Sequence, residues 1–176
     1  LKQAVVKDKR NEKLCLLPAS QTREKNAVNE EQMKELLLEL KAAYDYVMID
    51  CPAGIEQGFK NAIAGADEAI VVCTPEVASI RDADKVIGLL GVSDVLKTSL
   101  VVNRMKEDMV KRGDMLGVED IEDILGVKTI GIIPEDELVV RAANLGEPVV
   151  NIFKSGSGIA YCEIARRIAG EALPVN

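Results

Sequence analysis

Short apolar runs of strand length alternate along the chain with stretches of helical periodicity. Leu14 to Leu17 is a brief run closed by Pro18. Tyr46 to Ile49 ends on Asp50, AIVVCT (Ala69–Thr74) on Pro75, SLVVN (Ser99–Asn103) on Arg104, and TIGII (Thr129–Ile133) on Pro134. Continuous apolar runs of this length predict strands buried on both faces, as in parallel sheets. Between them the apolar spacing turns helical. Asn29 is a plausible N-cap for a helix from about Glu30 to Ala43, with Met33, Leu36, Leu37 and Leu40 on its apolar face. Further helices are predicted over Phe59–Ala64, from a Ser79 cap through Leu90 to the stop at Gly91, over Val118–Leu125 before Gly126, over Glu137–Leu145, and from near Ser157 to about Ala172. Lys106–Gly117 is polar and irregular, a loop with a helical turn. Strands separated by helices give an α/β fold, a mostly parallel β-sheet with helices on both faces, in one domain over residues 1–176.

Parallel strands bring their carboxyl ends to one edge of the sheet, where open α/β folds hold ligands. Asp50-Cys51-Pro52, Thr74-Pro75, Asn103-Arg104 and Pro134-Glu135-Asp136 all fall there. The same residues also serve as ordinary turn punctuation. Asp50, followed at once by Pro52-Ala53-Gly54, has the form nucleotide hydrolases use to hold a carboxylate near Mg²⁺ and phosphate. Such a site also needs a Gly-rich loop ending in Lys-Ser/Thr, and these 176 residues contain none.

Composition narrows the reading. Net charge is −7 and aromatics are 3%, which argue against a non-specific nucleic-acid binder and against a base-stacking platform. The chain has no histidine, and Cys15, Cys51, Cys73 and Cys162 form no C-x-x-C pair, so a zinc or iron–sulfur site within the chain is not expected. The cysteines read as reduced thiols. Cys51 has no histidine to activate it, so it is not read as a nucleophile. No signal peptide is visible, and no apolar run reaches the roughly 18 residues that span a bilayer. Arg112-Gly113-Asp114 spells an adhesion tripeptide by coincidence, and Gly156-Ser157-Gly158 reads as a hinge and helix cap.

Taken together, LLPASQTREK (Leu16–Lys25), YDYVMIDCPAGIEQGF (Tyr44–Phe59), ADEAIVVCTPEVASIRDADKVIGLL (Ala66–Leu90), VVNR (Val101–Arg104), VKRGDML (Val110–Leu116) and IGIIPED (Ile130–Asp136) resemble the MinD group of the ParA/MinD family of deviant-Walker P-loop ATPases. The resemblance covers nearly the whole chain. It implies an ATPase that uses ATP and Mg²⁺ to regulate division-site placement. Asp50 corresponds to the switch II acid, which holds Mg²⁺ through water, and Gly54 to the residue whose backbone approaches the γ-phosphate, where a side chain would crowd it. Asn103, Arg104, Pro134, Glu135 and Asp136 correspond to positions around the adenine. Arg81, Asp82, Asp84 and Lys85 correspond to a partner-docking face shared by a MinC-like inhibitor and a MinE-like regulator. The resemblance further implies an ATP-dependent homodimer, no nucleic-acid partner, and a cytoplasmic protein that becomes peripheral at the inner face of the cell membrane.

The chain departs from that pattern at both ends. It opens LKQAVVKDKR in mid-pattern and without Met, and the family's N-terminal phosphate loop and C-terminal membrane helix have no counterpart in it. The expectation is therefore a partial, N-terminally incomplete ATPase that is inactive alone. In the family the phosphate-loop strand lies between the Asp50-type and Ala69–Thr74-type strands, so either these two pair directly or backbone groups stay unsatisfied. The alternatives are a non-catalytic interaction module and a ParA-like partitioning ATPase; the charge of −7 disfavours the latter.

Overall fold

The computed structural model describes residues 4–18, 28–152 and 155–175. Residues 19–25 of the LLPASQTREK motif lie outside the described residues. A hairpin opens the chain: β1 (Val6–Lys7) pairs antiparallel with β2 (Cys15–Leu16), a shorter element than the Leu14–Leu17 strand expected. Helix α1 (Glu30–Lys41) starts at the expected Asn29, whose side chain accepts from Gln32 N–H while Gln32 reaches back to the Asn29 N–H. Its Leu37 is buried at 2% exposure and packs where Gly65 lacks a side chain; a Cβ there would stand 2.8 Å from Leu37 Cδ1.

The main sheet orders β3 (Glu68–Cys73), β4 (Lys97–Met105) and β5 (Thr129–Pro134), all parallel. Successive β4 side chains serve opposite faces. Leu100 and Val102 point into a core shared with α3 (Val77–Leu90) and α5 (Val118–Leu125), and Val101 joins Ile133 and Ile164 beneath α7 (Gly156–Ile168) on the other face. Helices α2 (Gln57–Ile63), α4 (Glu107–Arg112) and α6 (Glu137–Asn144) and a 3₁₀ turn (Val149–Asn151) complete the description. Helix α7 lies so close to β5 that a Cβ at Gly131 would stand 2.1 Å from Ile164 Cγ1. The β4–β5 register shifts between Leu100 and Val101, and beside that shift the Ile130 carbonyl accepts from Arg167 at 3.0 Å.

The clearest correction concerns Tyr46–Asp50. The segment forms no strand: it is unladdered, with Tyr46 62% and Met48 74% exposed. Apolar, β-prone side chains favour a strand only where a neighbour supplies hydrogen bonds, and among the described residues none pairs with this stretch. Of the two outcomes expected, direct pairing with β3 does not occur. Ser79 likewise does not cap α3. The N-cap is Glu76, and the Ser79 hydroxyl, one turn in, accepts from Thr74 N–H at 3.0 Å, tying the helix to the end of β3. The polar Lys106–Gly117 stretch holds α4, stopped by Gly113 in the left-handed conformation.

Candidate nucleotide site

The carboxyl ends of β4 and β5 assemble a compact group. Asn103 aligns with Ile133 and Met105 with Pro134, so Arg104 is an extra residue bulged from the ladder. Its φ of 61° is the one positive value at a non-glycine among the described residues. The Asn103 side chain stabilises this turn by accepting from Arg104 N–H at 2.9 Å, which occupies one lone pair of its carbonyl oxygen and leaves the other and its amide N–H donors. Glu135 closes the group: its N–H donates to Met105 O at 3.0 Å, and its carboxylate lies 2.5 Å from Lys106 Nζ and 3.7 Å from the Arg104 guanidinium. Arg104 and Glu135 are exposed, Asn103 and Pro134 half-buried. Backbone strain of this kind gathers where a structure presents groups to a ligand.

Asp136 behaves differently from the base-facing residue expected. It is the N-cap of α6, with Oδ1 accepting from Leu138 N–H at 2.9 Å. Its Oδ2 accepts from the hydroxyls of Ser155 (2.6 Å) and Ser157 (2.8 Å) and from Ser157 N–H at 3.3 Å. Both serines are 0% exposed. The Ser155 hydroxyl hydrogen bond, followed by that of Leu138 N–H, lowers the Asp136 pKa to about 2. The carboxylate is thus engaged inside the protein. Linear spacing hid this cluster, since Ser155 and Ser157 lie 19 and 21 residues from Asp136. An N-cap signal, a serine ahead of a helical run, was available for Ser155, which caps α7 by accepting from Gly158 N–H at 3.1 Å.

Asp50 and Gly54 belong to a second group, in the loop between the unladdered segment and α2. Both are exposed. Gly54 has φ +95°, which a side chain would strain, while a Cβ there would meet nothing within 4 Å. Its glycine requirement in this structure is therefore conformational. The Pro52 ring lies over Gly58, where a Cβ would come within 2.7 Å of Pro52 Cγ, fixing the loop onto the first turn of α2. Burial and the Asp50 charge raise the Cys51 thiol pKa, keeping it protonated as a non-nucleophile should be. No cluster of three or more His, Cys, Asp or Glu that could hold a metal exists among the described residues. A single exposed carboxylate fits Mg²⁺ in the way that ion is usually held, through few protein ligands and several waters.

Helix α3 exposes Arg81, Asp82, Asp84 and Lys85 together, with Lys85 and Asp82 paired at 3.0 Å. Ile80, Ala83 and Leu90 form its buried side. All four cysteines are free. No helix among the described residues is long and apolar enough to cross a membrane.

Comparison with known proteins adds three findings. The family model described as an AAA domain matches residues 3–106. The chain is 53% identical over 173 residues to the septum site-determining protein MinD of Synechocystis sp., covering 98% of this chain and 65% of that protein, and 43% identical over 183 residues to MinD of Escherichia coli K12, covering 99% and 68%. It thus spans about two thirds of the length of these relatives. Among solved structures it superposes on the MinD cell division protein of Aquifex aeolicus with a TM-score of 0.91 at 46% identity, covering 99% of this chain and 72% of that one. The A. aeolicus MinC:MinD complex matches with the same TM-score at 47% identity, covering 99% and 70%. The Pyrococcus horikoshii septum site-determining MinD complexed with Mg-ADP shares the fold, with a TM-score of 0.82 at 24% identity over 97% of this chain and 69% of that one.

Proposed function

This chain belongs to the MinD family, and from that premise we propose that it forms the switch-acid and base-recognition part of an ATPase that helps place the division site. The observation carrying this reading is the joined carboxyl edge of β4 and β5, where a strained Arg104, the Asn103 amide and the Pro134–Glu135 turn sit together. An amide with free N–H donors and a lone pair left on its oxygen suits the edge of adenine.

In this proposal Asn103, Arg104, Pro134 and Glu135 would orient the base, Asp50 would hold Mg²⁺ through water, and the backbone N–H of Gly54 would face the γ-phosphate. Nucleotide and Mg²⁺ binding occur in the family, as in the Mg-ADP complex of the P. horikoshii protein. When bound, Mg²⁺ neutralises phosphate charge. This chain contributes position: phosphoryl transfer depends chiefly on aligned groups and charge stabilisation. The intact protein would dimerise around ATP and associate with the inner face of the cell membrane. A MinC-type inhibitor is the partner best supported, since the A. aeolicus MinD structure with MinC is so similar. The charged face of α3, with Arg81, Asp82, Asp84 and Lys85, is proposed to dock it and a MinE-like regulator.

Two measurements test the reading. Titration with a fluorescent ATP analogue should show saturable binding to this chain that Asn103→Ala abolishes. A chimera carrying a Gly-rich phosphate-loop segment ahead of this chain should hydrolyse ATP, while this chain alone should not, and Asp50→Ala should silence the chimera. No binding, or turnover indifferent to Asp50→Ala, overturns the proposal.

A further inference from the structure

We infer that Asp136, through Ser155 and Ser157, is a positioning residue that latches the base-side turn to the N-terminus of α7, so that the geometry of this turn is set by the last helix. The inference rests on the nucleotide reading above and assigns Asp136 a different part in it.

Residues 134–136 leave β5 and enter α6, and Glu135 holds Arg104 and Lys106 by its carboxylate. Exposed ion pairs of this kind hold little by themselves. The fixed point is one residue on. Asp136 uses both carboxylate oxygens, one to start α6 and the other to gather two serines from a different helix. The serine hydroxyls lie 2.8 Å apart, and Ser155 in turn accepts from Gly158 N–H. Hydrogen bonds to an ionised acceptor are the stronger kind, and serines with no solvent access have no water to fall back on.

Two glycines let the latch close. At Gly156 a Cβ would press on Pro134 Cγ at 3.3 Å, and at Gly158 it would stand 3.0 Å from Val149 O. Ser155–Ser157 therefore lies directly against the turn that presents Glu135, and Gly158 against the 3₁₀ turn at Val149. Helix α7 is itself anchored on β5 through Ile164 over Gly131 and Arg167 to Ile130 O. Helix α7 thus touches β5 at the middle of the strand and, through Asp136, at its end. A carboxylate engaged in this way acts on the base through the placement of its neighbours, not by touching it.

The test compares Asp136→Asn and the double variant Ser155→Ala/Ser157→Ala with the parent chain, titrating each with mant-ATP and mant-GTP below its melting temperature. Both variants should bind mant-ATP about tenfold more weakly and show a narrowed preference for mant-ATP over mant-GTP, the loss expected when a charge-assisted contact is removed. The double variant leaves Asp136 in place, so a direct contact between Asp136 and the base predicts no change from it and would overturn the latch. Equal weakening for both nucleotides with an unchanged ratio would mark a merely structural role and would also overturn it. Should either variant fail to fold, Ser155→Ala alone gives the same readout at lower cost to stability. Binding by the parent that neither variant alters refutes the latch and leaves the nucleotide reading standing; absence of binding by the parent refutes that reading first.

Discussion

The two groups of the candidate site are held in opposite ways. The base-side group stands on β4 and β5, strands packed on both faces and pinned by α7. The group holding Asp50 and Gly54 follows a stretch with all the apolar character of a strand and no ladder. The contrast between YVMI (46–49) and LVV (100–102) is instructive, because both read as buried strands. Leu100 is 0% exposed and Met48 is 74% exposed. Apolar composition qualifies a segment for a sheet; the neighbouring backbone admits it.

Substitutions can break this contrast or sharpen it. The largest effect belongs to Leu100→Ala, which empties the centre of the main core and should cost about 2–5 kcal/mol by urea unfolding. Gly131→Ala places a methyl where Ile164 lies and should cost about 1–3 kcal/mol as α7 is pushed from β5. Asp136→Asn should cost about 1–2 kcal/mol near neutral pH, by loss of charge-assisted bonds to the two serines. Its pH dependence has a definite sign. The Asp136 pKa is lowered in the fold to about 2 from 3.8, so its contribution is present above pH 4 and fades as pH falls towards 2. The stability gap between parent and Asp136→Asn should therefore shrink on acidification across that window. Smallest is Met48→Ala, which should stay within about 0.5 kcal/mol, as for an ordinary surface position. A cost at Met48 comparable to that at Leu100 would erase the distinction between the two regions.

The same contrast explains what could be read from the chain. The strands at Ala69, Ser99 and Thr129 and the helix after Asn29 were legible, because periodicity, caps and stop signals are local and agree with their surroundings. The end of β4 was legible as a polar junction, and its place beside Pro134 and Glu135 followed from parallel topology. The bulge at Arg104 was not legible, since register is a property of two strands together. The Asp136–Ser155–Ser157 cluster escaped for a related reason: Ser157 showed only as part of a hinge and helix cap, Ser155 gave no signal beyond its place ahead of that helix, and nothing local ties either to an acid on another helix. The failure at Tyr46–Asp50 runs the other way, a correct local signal without a partner in space.

The left-handed Arg104 has a consequence for anyone engineering this protein. A glycine there would relieve strain worth up to about 1 kcal/mol after its own entropic cost, so a screen for thermal resistance would favour Arg104→Gly. If Arg104 orients the base as proposed, a selection for nucleotide use would reject the same change. Position 104 is where a library scored on heat tolerance and one scored on ligand capture would part company.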